Sequence, residues 1–167
     1  MDIPLRIPDR DYLAKIGEIV FLVSELEGLL KGDMYRFHDQ LPAELDISGR
    51  EGRKVTTMTT HQLGAYFVEH APKCKDLGVE RYFCQAGEVL KKIAKKRNSV
   101  LHSVPAIDGG DPSGRLRLGR VKLTPTKSEI HVLSDEWLDE FKSEIRTLRA
   151  SVVSARPVKP TSDASAN

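Results

Sequence analysis

No stretch of this sequence approaches the roughly 18 consecutive apolar residues that a membrane-spanning helix needs. The opening MDIPLRIPDR carries Asp and Pro where a secretory signal would need an apolar core. A soluble, cytoplasmic protein with no membrane attachment is therefore expected. Cysteine is scarce as well: Cys74 and Cys84 form no CxxC pair, which fits free thiols in a reducing compartment. With His70 they make a conceivable zinc set, but Pro72 spoils the helical spacing between the first two and no fourth ligand is evident, so no metal and no other cofactor is expected. Charge of one sign is also lacking. A net charge of +2 is too small to turn the whole surface toward nucleic acid, and any such binding must come from local patches. The absence of GxxxxGKS/T, GxGxxG and GxSxG removes support for nucleotide hydrolysis and for serine-hydrolase chemistry. There is no internal repeat.

What is present suits a globular protein. At 167 residues, 30% charged and 40% hydrophobic, the chain has the length of one domain and enough apolar residues for a real core. From Tyr12 the positions Tyr12, Ile16, Ile19, Val23, Leu26 and Leu30 fall at alternating spacings of four and three. That spacing predicts a first helix over 10–31, capped by Asp9 or Asp11 and ended by Gly32. Its centre, IVFLV, is apolar almost all round, so that more than one face needs cover, from the rest of the chain or from a subunit partner. From Asp33 to Val55 the period weakens: MYRFHDQL either extends the helix or forms a short one, and PAELDISGREGRK reads as a long loop.

Threonines at 56, 57, 59 and 60 offer N-caps for a second helix over 57–70, with Met58, Leu63, Tyr66 and Phe67 inward. Residues 79–102 keep a helical period through Tyr82, Phe83, Ala86, Val89, Leu90, Ile93 and Leu101, and Pro105 stops it. Then RLRLGRVKL and SEIHVLS alternate in strand fashion around TPTK, which predicts a two-stranded hairpin at about 115–133 with a possible bulge at Gly119. Leu116, Leu118, Val121, Leu123, Ile130 and Val132 would face the helices, leaving Arg115, Arg117, Arg120 and Lys122 on the other face, either solvated or touching a nucleic-acid backbone. A last helix over 135–153 is capped by Ser134 and buries Trp137, Leu138, Phe141, Ile145, Leu148 and Val152. Residues 154–167 read as a disordered tail.

The densest chemistry lies in KKIAKKRNSVLH, residues 91–102. Asn98 and His102 are four apart and share a helix face with Ala94, so only a small side chain screens them. Arg97 is offset by about 100° but is long enough to swing toward the same spot. An imidazole, a permanent planar cation and an amide together suit the handling of a phosphodiester. Lys92, Lys95 and Lys96 add a basic flank. The alternative is structural: cations at a helix C-terminus stabilise the dipole by roughly 0.3–1 kcal/mol without any function, with His102 as an end cap and Arg97 in a surface ion pair.

An Arg followed directly by a polar residue, with a His a few positions on, at the end of a long helix in a mainly helical protein, resembles the HEPN superfamily. Arg97, Asn98 and His102 match that pattern. The resemblance implies a four- to five-helix bundle, here over residues 1–153 with the hairpin inserted before the last helix, pairing into a homodimer. It implies a metal-independent endoribonuclease, often a toxin or defence component, whose partners are RNA and in some cases an antitoxin or regulatory protein. In such chemistry a ribose 2′-OH attacks the adjacent phosphorus, His102 moves a proton, Arg97 steadies the phosphate charge and Asn98 orients the group. One imidazole does not readily serve as both acid and base, which fits a second copy supplied by the partner subunit. Phosphate contacts are expected from Lys92, Lys95, Lys96, Arg115 and Arg117. The competing expectation is a non-catalytic nucleotide-, RNA- or protein-binding module on the same fold. Glu25, a carboxylate on a mostly apolar helix, needs a cation, and Arg97 is one candidate.

Overall fold

A computed structural model describes residues 7–107, 113–123 and 128–158. In chain order it runs α1 (Arg10–Arg36), α2 (Thr60–His70), α3 (Leu77–Leu101), β1 (Val104–Ile107), β2 (Leu116–Leu123), β3 (Ser128–Leu133) and α4 (Asp135–Ser154), with short 3-10 turns between α1 and α3. The chain is mainly α, with a small antiparallel sheet ahead of the last helix. Among the described residues no helix is long and apolar enough to cross a membrane.

The caps follow side-chain chemistry. Asp9 accepts the Tyr12 amide hydrogen at 2.9 Å, Ser134 that of Trp137 at 3.2 Å, and Thr59 forms a reciprocal capping box with Gln62. Gly32 does not end α1. Asp33, Met34 and Phe37 are buried beyond it, and that packing outweighs the roughly 1 kcal/mol that a glycine costs inside a helix.

The chain divides into two compact units, Met1–Ser24 with Ile93–Thr147 and Glu25–Lys92 with Leu148–Asn167, so the boundaries fall within α1, α3 and α4. In the second unit Phe67, Tyr82 and Phe83 stack edge to face. The loop after α1 is no loose excursion, because Leu41, Leu45, Ile47 and Val55 are buried. Asp33 is fully buried and accepts the Tyr82 hydroxyl at 2.5 Å and the Arg156 guanidinium. Burial and the adjacent Asp33 push the Tyr82 phenol well above its ordinary range. The expected tail is thus anchored at Arg156, and its stretch from residue 159 lies outside the described residues. Glu25 pairs with Arg149 at 2.6 Å, which corrects the suggestion of Arg97.

Helices α2 and α3 touch through glycine. A Cβ on Gly64 would lie 2.7 Å from the Gly87 carbonyl oxygen, and one on Gly87 would lie 2.7 Å from that of Gly64. Backbone cannot step aside as a side chain can. Gly64→Ala and Gly87→Ala are each expected to cost about 1–3 kcal/mol, read as a lower urea midpoint with an unchanged slope.

In the first unit the sheet order is β1-β2-β3, so the hairpin gains a third strand on its other edge. Pro105 can sit there because an edge strand tolerates a missing donor. Pairing runs one to one from Leu118↔Leu133 to Leu123↔Ser128, without the expected bulge. Gly119 serves instead as a point of close approach, where a Cβ would come within 2.5 Å of Ile130 and 2.8 Å of Ala106. With no bulge to shift the phase, Arg117 and Arg120 point to opposite faces. This corrects the expected facing: Val121 and Ile130 are exposed, while Arg117 is buried at 3%. Arg117 lies over the Tyr12 ring at 4.5 Å and bonds Asp9 at 2.6 Å and Asp135 at 2.8 Å. The Tyr12 amide and the Arg117 guanidinium hold the Asp9 carboxyl below the usual carboxylate range. The Tyr12 hydroxyl donates to the Leu133 carbonyl at 2.7 Å and accepts from the Leu118 amide at 3.1 Å, joining α1 to the sheet. Residues 108–112 and 124–127 lie outside the described residues.

Candidate functional site

The C-terminal turns of α3 run beside β2 in the first unit. Helical spacing brings Lys95, Asn98, Ser99 and His102 to one side there, and with Arg120 and Val121 of β2 they line a cavity of about 220 Å³. Asn98 and His102 are exposed, and the His102 amide still donates to the Asn98 carbonyl at 3.0 Å, so the imidazole leaves from an intact helical turn. Ser99 donates to the Lys95 carbonyl at 3.2 Å and receives Arg120 at 3.4 Å. That bond ties the sheet to the helix at the cavity.

A second cavity, about 450 Å³, shares Lys95, Ser99 and Arg120 with the first and adds Lys122, His131, Leu133 and Trp137. The register sets Arg120 opposite His131 and Lys122 opposite Glu129. The His131 ring nitrogen stands 3.5 Å from the Glu129 carboxylate. Among the described residues no carboxylate lines either cavity. Together they form a basic trough with two imidazoles, one amide and one indole.

The sequence candidates separate here. Lys95, Asn98 and His102 meet at the cavity. Arg97 does not line it: half-buried, it donates to the Asn98 side-chain oxygen at 3.4 Å, so it braces the amide. Arg120 stands where Arg97 was expected. Lys96 is bound to Glu144 at 2.5 Å and lies 5.6 Å from the Phe141 ring centre. Lys92 is exposed but belongs to neither cavity. Arg115 lines a different, mixed-charge cavity with Asp9, Asp11, Lys15 and Asp135. Arg117, grouped with the phosphate ligands on its sequence, is spent on Asp9 and Asp135 and is corrected to a structural role.

Arg120 and Lys122 were legible as one polar strand face. Their pairing with the end of α3 was not, since nothing local in the sequence links them to Ser99. His131 and Trp137 gave no signal beyond strand alternation and a helical stripe.

Other chemistry finds little footing. Burial pushes the Cys74 thiol up to about 11 and raises Cys84 as well, so neither is a ready thiolate near neutral pH. His70 packs on Tyr66 at 4.2 Å and lies 3.7 Å from Glu44. Among the described residues no three His, Cys, Asp or Glu side chains are grouped to hold a metal ion. Glu18 bonds Lys142 and Arg146, and Asp139 bonds Lys15 and Lys142, as ion pairs. Comparison of the chain with protein-family models, with curated proteins and with solved structures finds no match.

Proposed function

We infer that this chain is a metal-independent endoribonuclease of HEPN type that cuts RNA at the cavity beneath His102. One observation carries the reading: an exposed imidazole and an exposed amide on the last turns of α3 share a small cavity with Lys95 and Arg120, and among the described residues no carboxylate joins them. A phosphodiester fits that chemistry, whereas a divalent cation finds no hard oxygen anion there to bind.

In the reaction the 2′-OH of one ribose attacks the adjacent phosphorus, forming the P–O2′ bond as the P–O5′ bond breaks. A base takes the 2′ proton and an acid supplies one to O5′, leaving a 2′,3′-cyclic phosphate and a 5′-hydroxyl. His102 fills one of these roles. Arg120 and Lys95 hold the phosphate oxygens and stabilise the charge that grows on them, the part first given to Arg97. Arg97 fixes the Asn98 amide, which directs its NH2 at the phosphate. Incubating the protein with RNA in EDTA tests the reading: products with cyclic phosphate ends support it, and intact RNA contradicts it.

A homodimer belongs to the same reading. Along the outer side of α1, Leu13, Val20 and Phe21 are 41%, 39% and 67% exposed, and a Cβ added at Gly17 or Gly28 would meet nothing. Exposed apolar residues alternating with small ones at helical spacing suit close packing of a second helix. Phe21→Glu is expected to turn a dimer into a monomer by light scattering with unchanged helicity. An unchanged mass would contradict this role of α1.

One observation favours binding without cleavage: Arg97, the motif's own cation, is turned out of the cavity. In that case RNA is retained with a steep salt dependence and stays intact.

A further inference from the structure

The smaller cavity accounts for a phosphate but not for a nucleobase, and the larger one beside it adds apolar surface to the same cations. It is lined by the apolar Leu133 and Trp137 together with Ser99 and the basic Lys95, Arg120, Lys122 and His131. At about 450 Å³ it falls within the range of roughly 300–1,000 Å³ typical of small-molecule sites. The half-buried Trp137 is braced from one side by Phe141, with ring centres 5.5 Å apart and planes at 48°. An indole that packs on Phe141 and lines a basic cavity offers a platform for a flat, weakly polar ring with an anion attached. Arg120 borders both cavities, so a group held there is adjacent to whatever each contains.

We propose that the larger cavity is the base-binding subsite of a single RNA strand: one nucleobase stacks on Trp137 while the phosphate joined to it bridges Arg120 into the cavity of Asn98 and His102. The proposal rests on reading that smaller cavity as a phosphodiester site. Stacking on a side chain requires a base free of its pairing partner, which makes the substrate single-stranded. A duplex would offer only backbone to the basic residues.

Trp137 is the chain's only tryptophan, so indole fluorescence, excited beyond the absorption of the four tyrosines, reports on this cavity. A single-stranded RNA hexamer is titrated into His102→Ala, used to prevent cleavage, beside inorganic phosphate and the same hexamer annealed to its complement. The single strand is expected to quench the indole, and phosphate and duplex to leave it unchanged. By anisotropy of labelled RNA, Trp137→Ala is expected to weaken binding about tenfold or more, while Trp137→Phe stays close to the parent. Lys122→Ala, a surface change that spares the fold, is expected to lower the salt slope by about one. RNA that binds without altering the fluorescence, or a folded Trp137→Ala that binds as the parent does, overturns the proposal. Cleavage by the unmutated protein without quenching overturns the subsite and leaves the ribonuclease reading standing. Quenching without cleavage supports the subsite and removes the ribonuclease.

Discussion

Replacing His102 with alanine is expected to lower RNA cleavage by about 10²–10⁴-fold, the usual worth of a positioned general acid or base. The fold should be untouched, because the side chain is exposed. Surface changes of this kind stay within about 0.5 kcal/mol. RNA binding should persist through Lys95, Arg120 and Lys122, so the loss appears in the chemical step under single-turnover conditions. Arg120→Ala should differ in kind: it removes the cation that grips the phosphate in both ground and transition states, and binding and rate fall together. Should His102→Ala cut as fast as the parent, the imidazole would be a helix-end residue only.

The second large effect is on stability. Arg156→Ala is expected to destabilise the protein by about 3–5 kcal/mol, since it leaves the fully buried Asp33 carboxylate with Tyr82 as its remaining partner. For a chain of this size each kcal/mol lowers the melting temperature by about 2–4 °C. A chain ending at Ala155 should behave alike, which distinguishes the guanidinium from anything beyond it. Asp33→Asn combined with Arg156→Ala should recover much of the loss, because the double change no longer buries an unpaired charge. Equal urea midpoints for the parent and Arg156→Ala would show that the pair contributes nothing.

Periodicity made most of the fold readable. The four helices lie close to their expected ranges because each carries an apolar stripe and a side-chain cap, and the strand signals at 116–123 and 128–133 were equally clear. What escaped was long-range. Val104–Ile107 follows a helix so closely, and carries Pro105, that only its partner β2 makes it a strand. Gly64 and Gly87 look like weak points in two helices until their carbonyls are seen to meet. The sheet's facing went astray at Gly119, where a supposed bulge shifted the phase by one residue and put Arg117 on the same face as Arg120. That single slip gave Arg117 a phosphate role that its burial against Asp9 and Asp135 rules out. Asn98 and His102 were found because helical spacing alone puts them together, whereas Arg120, His131 and Trp137 join them only through tertiary packing.

Cleavage and base binding both require a single strand of RNA lying across the two joined cavities. The most direct test follows the five histidines by NMR as a 2′-O-methylated RNA strand, which lacks the attacking hydroxyl, is titrated in. The imidazole signals of His102 and His131 are predicted to shift together and saturate at one affinity, while those of His38, His61 and His70 stay in place. Shifts confined to the latter three, or saturation with His102 and His131 unmoved, would contradict it.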